Sequence, residues 1–229
     1  MLAGLAAAAA AAAAASAAPP DTIAQRVLAC VPCHGNEGRA TNEGYYPRIA
    51  GKPSGYLYNQ LLNFRDGRRR NAAMAYLVAH QTDAYLAEIA AHFAAQRLPY
   101  PPSRAGNAGP AELERGRQLA EHGDKARAIP ACASCHGGAL TGVLPATPGL
   151  LGLPRDYLSA QIGAWKAGSR RAAAPDCMAQ IARALGPEDI GAVSAWLASR
   201  PVPPNPDAVA AAGSDPPLRC GTVPATVPR

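Results

Sequence analysis

Two stretches of this chain carry residue types from which a covalent redox site can be made. They are Cys30-Val31-Pro32-Cys33-His34-Gly35 and Cys132-Ala133-Ser134-Cys135-His136-Gly137. The pattern Cys-x-x-Cys-His suits attachment of a c-type haem. Two thiols three positions apart on a tight turn can each add across one vinyl group of a porphyrin. The histidine that follows is then placed beneath the ring, where it gives the iron a nitrogen ligand. Zinc is the competing reading of any Cys-x-x-Cys pair, yet structural zinc motifs set their halves within roughly 12–20 residues of each other. These halves lie 102 residues apart. A redox dithiol leaves the His-Gly after each pair unexplained. Two haem c groups are therefore expected, held by Cys30, Cys33, Cys132 and Cys135, with His34 and His136 as axial ligands.

Each iron then has a second axial position. Apart from the initiator the only methionines are Met74 and Met178, 40 residues after His34 and 42 after His136. A lone methionine is by default a filler of core gaps, but two at matching places are read as iron ligands. His80, His92 and His122 have no such counterparts and are read as surface or helix residues. His/Met ligation raises the reduction potential and closes the iron to small molecules, which suits carriage of electrons rather than catalysis.

The elements that must position these residues are organised by an internal repeat. Pro47 to Pro53 returns as Pro148 to Pro154, and Tyr56, Gln60 and Gly67 return as Tyr157, Gln161 and Gly168, all displaced by 101 positions. At the methionines the displacement is 104. The chain reads as two copies of one domain, at 21–98 and 111–200. A Pro-rich linker (99–110) joins them, and a Pro/Ala-rich tail (201–229) follows. Three helices are expected in each copy: Thr22–Leu28, Tyr56–Phe64 and Asp83–Ala95, then Ala111–His122, Tyr157–Trp165 and Pro187–Ala198. Apolar residues at helical spacing and Pro or acids in first turns support them. No alternating strand pattern is found, so the fold is expected to be all-α.

Composition agrees. The 229 residues include only 8 Tyr, 2 Phe and 2 Trp, thin cores for two small domains unless a large apolar group fills them. A covalent porphyrin is such a group. Residues 1–17 include ten consecutive alanines ending at Ala15, too short a run to span a bilayer. With Ala15-Ser16-Ala17 as a small-x-small cleavage site it reads as a signal peptide, although no basic residue precedes it. A periplasmic location follows, with peripheral attachment to the membrane as an option. The net charge is +6, concentrated at Arg68–Arg70 and Arg170–Arg171. Without interleaved aromatics or a DNA-binding motif, nucleic acid is excluded as a partner. Instead, the basic patches are expected to meet acidic surfaces of redox proteins, a reductase donor and an oxidase acceptor.

Over residues 21–200 the sequence resembles the dihaem class I cytochromes c of the cytochrome c4 type. The likeness rests on Cys30/Cys33/His34-Gly35, Pro47, Tyr56, Gln60, Gly67, Met74 and their counterparts in the second copy. It implies two tandem cytochrome c domains, each a few helices around a covalent haem, related by a pseudo-twofold axis. It further implies internal electron transfer and service as a donor toward a terminal oxidase. By the same resemblance the Pro47 and Pro148 carbonyls would accept the Nδ1–H of His34 and His136.

Three departures from that pattern stand out. The first helix of domain one lacks the glycine that Gly116 supplies in domain two, so a looser helix crossing is expected there. The proline tail lies outside the family core. Cys177 and Cys220 are left over, and in an oxidising compartment their simplest fate is a disulfide. The alternative is a Cys177 thiolate on the iron beside Met178. That would mark a dihaem enzyme or dehydrogenase subunit of the thiosulfate dehydrogenase kind rather than a non-enzymatic carrier.

Overall fold

The computed structural model describes residues 20–41, 44–103, 106–211, 213 and 215–222. The leader at 1–17 lies outside them. The first domain comprises α1 (Ile23–Arg26), a 3-10 segment (Val27–Cys30), α2 (Val31–His34), α3 (Ser54–Arg65), α4 (Ala72–Val78) and α5 (Asp83–Ala94). The second comprises α6 (Pro110–Glu121), α7 (Ala133–His136), α8 (Arg155–Lys166), α9 (Cys177–Ala184) and α10 (Pro187–Ser199). A two-residue antiparallel pair, β1 (Gly142–Val143) with β2 (Thr147–Pro148), is the small exception to the all-α expectation.

Each domain closes its own apolar core. In the first, the α5 stripe of Leu86, Ile89, Ala90 and Phe93 packs with Leu57 and Phe64 of α3. In the second, Val193, Trp196 and Leu197 of α10 pack with Leu119 of α6 and Leu158 of α8. Burying each such side chain contributes about 1.5–3 kcal/mol. Two of the long helices, α5 and α10, begin where the sequence supplies caps. Thr82 accepts from the Tyr85 amide at 3.2 Å, and the Asp189 carboxylate accepts from the Gly186 amide at 3.1 Å before α10.

Two helix expectations need correction. The first helix of domain one is a single turn, α1, that passes into 3-10 geometry and then into α2. Pro32 has no N–H to donate back to Leu28, so a continuous helix through the Cys30 segment loses a bond there. The methionine segments, which fall between the second and third helices expected in each copy, are themselves the short helices α4 and α9. Their signal was the cap: Asn71 accepts from the Met74 amide at 3.0 Å and Asp176 from the Ala179 amide at 3.0 Å, the arrangement expected of N-cap residues.

The difference between the two helix crossings has a steric cause. A Cβ on Gly116 would lie 2.2 Å from the Ala192 carbonyl oxygen and 2.6 Å from Trp196 Cβ. Only glycine lets α6 lie this close along α10. The corresponding helix of domain one, α1, has four residues and none of them is buried.

The domains meet about a pseudo-twofold relation. Arg69 and Arg170 form an antiparallel bridge, flanked by Arg70 N–H donating to Ser169 O (2.9 Å) and Arg171 N–H to Arg68 O (2.7 Å). Beyond α10 the tail returns over domain two. Leu144 N–H donates to Val209 O (2.8 Å) and Val209 N–H to Gly142 O (3.0 Å). Cys220 is bonded to Cys177, and Asn59 of domain one donates to the Thr222 carbonyl at 2.5 Å.

Candidate functional site

The two Cys-x-x-Cys-His segments end in the same way. His34 closes α2 and His136 closes α7, and the following Gly35 and Gly137 adopt φ of +73° and +84°. At Gly35 a Cβ would also stand 2.6 Å from the Ala40 carbonyl oxygen. This turn folds the chain away sharply beneath each histidine, which explains why glycine follows both.

Both imidazoles are 8% exposed. Each is oriented by one backbone acceptor: His34 Nδ1 lies 3.0 Å from Pro47 O, and His136 Nδ1 lies 2.7 Å from Pro148 O. Burial lowers both imidazole pKa values, against the opposing pull of those carbonyls. Positive charge lowers them further, from Arg69 at His34 and from Lys52 at His136. The rings are thus neutral at neutral pH, with the proton on Nδ1 and the Nε2 lone pair free, the state an iron ligand needs.

Cys30, Cys33, Cys132 and Cys135 are unbridged thiols. Burial pushes Cys30 and Cys132 up to about 11 and raises Cys135. Beside Cys135 a cavity of about 780 Å³ opens, walled by Val143, Leu144 and Thr147 and, from the tail, by Leu218 and Cys220. That volume is typical of a small-molecule or cofactor site. Met74 lies in the first turn of α4 and Met178 in that of α9, both half-buried. Cys177 is not a thiolate here, since its sulfur is bonded to Cys220 at 2.07 Å. His80 and His122 are exposed, and His92 is half-buried beside Gln96.

Between the domains lies a polar cluster drawn from the repeated Tyr and Gln positions and from the two basic patches. Arg69 donates to Gln60 (2.9 Å), Gln161 (2.6 Å) and the Tyr157 hydroxyl (3.2 Å). Arg170 donates to Gln161 (2.7 Å), Gln60 (3.0 Å) and the Tyr56 hydroxyl (3.4 Å). The arginines, like the glutamines and tyrosines, are 101 positions apart, and that shared displacement was the available signal. Arg170 is 4% exposed and stacks 3.7 Å from the Trp165 ring centroid. Arg68 is engaged by Asn63 and Asp66, so of the two basic patches only Arg70 and Arg171 stand exposed.

These residues fit a porphyrin with carboxylate arms. Arg170 is a buried guanidinium whose partners are amides and phenols rather than an acid. Trp165 Nε1 is a buried donor with no partner among the described residues. Buried positive donors of this kind are costly without an anion.

Comparison with known proteins points the same way. The cytochrome c family model matches residues 113–201. The chain is 36% identical to the thiosulfate dehydrogenase electron acceptor of Thiomonas intermedia, over 80% of this chain and 83% of that protein. It is 32% identical to cytochrome c4 of Pseudomonas aeruginosa, over 75% and 84%. The crystal structure of reduced recombinant cytochrome c4 from Pseudomonas stutzeri superposes with a TM-score of 0.67 at 26% identity, covering 77% of this chain and 96% of that one.

Proposed function

This chain belongs to the cytochrome c4 family of dihaem electron-transfer proteins, and we propose that it works as a two-electron relay in the periplasm between a dehydrogenase and the respiratory chain. Cys30 and Cys33 would hold one haem and Cys132 and Cys135 the other. His34 with Met74 and His136 with Met178 would supply the axial ligands. Each bound haem c contributes a one-electron ferric/ferrous couple.

The protein's own residues do the rest. The Pro47 and Pro148 carbonyls hold each imidazole in one tautomer and one orientation, so little has to move when the oxidation state changes. The Arg69/Arg170 cluster joins the two sites through side chains contributed by both domains. Arg70 and Arg171 remain to meet an acidic partner, in weak and salt-sensitive encounters.

The observation that carries this reading is the repeated geometry of His34–Pro47 and His136–Pro148, each next to a cysteine pair outside any disulfide and each with a methionine on a capped helix. An enzymatic role had one residue in its favour, Cys177, and that sulfur is engaged with Cys220. The relative that accepts electrons from a thiosulfate dehydrogenase supports an enzyme of that class as the donor. Toward the acceptor, a terminal oxidase is the family's customary partner.

Visible and near-infrared spectra of periplasm-matured protein test the reading. The expected result is two covalent low-spin haems per chain, both with the ferric methionine-to-iron charge-transfer band. Met74→Ala and Met178→Ala should each remove one of the two. The protein should accept two electrons from a thiosulfate dehydrogenase and oxidise no thiosulfate alone. A single methionine-ligated haem, or thiosulfate turnover by the isolated chain, would overturn it.

A further inference from the structure

The repeat is broken at one buried position. Lys52 occupies the place that Leu153 holds in the second copy, 101 residues later. It is 5% exposed, and its Nζ crosses the domain boundary to donate to Gly149 O at 2.8 Å. Gly149 follows Pro148, whose carbonyl holds His136 Nδ1 at 2.7 Å. A cation of domain one therefore ends one peptide unit from the hydrogen bond that orients the histidine of domain two. Leu153 has no charge with which to return the favour.

Among the described residues no acid offsets that charge. Burial, with Arg48 nearby, brings Lys52 down to about 8, and no carboxylate contributes. It stays mostly protonated at neutral pH. Its Nζ ends at Gly149 O, one peptide unit from the carbonyl that holds His136 Nδ1. Arg69, another cation that reaches across the domains, is matched by Arg170 across the pseudo-twofold and contacts both domains alike. Lys52 has no such counterpart.

We propose that Lys52 is a positioning residue, lent by the first domain, that raises the reduction potential of the second domain's haem by fixing a buried positive charge beside the Pro148–His136 hydrogen bond. This rests on the reading of His136 as an iron ligand. Reduction brings one electron from the partner protein or from the other haem, forms and breaks no bond, and lowers the charge of the centre by one. A nearby cation opposes the ferric state more than the ferrous, and in a low-dielectric interior that preference is poorly screened. Electrons entering at domain one are thereby drawn to domain two.

The experiment is a redox titration of holoprotein in which the two haems are followed separately by their NMR signals. Lys52→Met should lower the potential of the domain-two haem alone, shifting the equilibrium of an electron between the haems about tenfold toward domain one. Lys52→Gln keeps a donor for Gly149 without the charge and should behave as Lys52→Met. Lys52→Arg should stay near wild type. The glutamine variant carries the same test where the methionine variant fails to mature. Potentials that do not move, that move together, or that are preserved by glutamine would overturn the proposal while leaving the two-haem reading intact. A wild-type domain-two haem without histidine ligation would overturn both.

Discussion

Arg69 and Arg170 face each other across the domain boundary as a bridged pair, and each reaches the glutamine of the opposite domain: Arg69 to Gln161 at 2.6 Å, Arg170 to Gln60 at 3.0 Å. Two guanidiniums repel, so the arrangement is held by the acceptors around them and by whatever anion the site receives. Replacing Arg170 by Met removes a donor from Gln161, Gln60 and Tyr56 at once and leaves Arg69 alone to hold both glutamines. The holoprotein is expected to lose about 2 kcal/mol in denaturant unfolding. Arg69→Met, at a half-exposed position, should cost less. Equal effects would mean that burial does not set the weight of the two arginines.

Gly116 admits no side chain. Gly116→Ala places a methyl 2.2 Å from the Ala192 carbonyl oxygen, which backbone movement of α6 or α10 must relieve. Overpacking of this kind costs about 1–3 kcal/mol, occasionally more. The loss should fall on domain two, visible as faster amide exchange in α6 and α10 with α3 and α5 unchanged. A wild-type melting curve would show that α6 can slide freely.

Asp189 gives the protein an acid limb. Burial alone would raise its carboxyl, but hydrogen bonds from Arg127 and Arg115 outweigh it and hold the group down at about 2. The folded value lies below the unfolded one of about 3.9, so its stabilisation is complete above pH 4 and is lost as pH falls from 4 to 2. Asp189→Asn should be less stable than wild type at pH 6. The gap between the two should close over that window. Parallel stability curves down to pH 2 would argue against the assignment.

The Cys177–Cys220 bond spans 43 positions, and a cross-link of that reach contributes about 2–4 kcal/mol by constraining the unfolded chain. Cys220→Ser should lower the melting temperature of domain two and free the tail for proteolysis near Val209. Domain one should be unaffected apart from the lost Asn59–Thr222 contact. Thermal unfolding of the oxidised protein and the variant, followed by domain-specific haem signals, measures this.

The motifs were legible because they are local. Cys-x-x-Cys-His and the helices carrying Leu86–Phe93 and Val193–Leu197 depend on spacing within a few turns, whereas the Pro47 and Pro148 acceptors were implied by the resemblance to cytochrome c4. The cytochrome family reading followed from them and stands. What sequence could not show is tertiary. Arg68–Arg70 and Arg170–Arg171 look like solvated charge, yet Arg170 is among the most buried polar residues, because the partner that buries it lies about a hundred positions away. Lys52 gave no warning beyond its mismatch with Leu153. The α4 and α9 helices, of seven and eight residues, are too short for periodicity to reveal, and only Asn71 and Asp176 mark where they start.

The sulfur inventory imposes an order on how the protein comes into being. Cys177 and Cys220 are joined in a disulfide, whereas Cys30, Cys33, Cys132 and Cys135 take no part in one. Folding sorts them: burial leaves Cys30 and Cys132 protonated and poor nucleophiles, protected from exchange with a passing disulfide. The same protection would also block their addition to a porphyrin. Haem attachment, as proposed above, is therefore expected while the domains are still open. The Cys177–Cys220 bond is then expected to close after the cofactors are in place. Timed alkylation of thiols during export would reveal the sequence of events, and a Cys177–Cys220 bond that forms before haem attachment would reverse it.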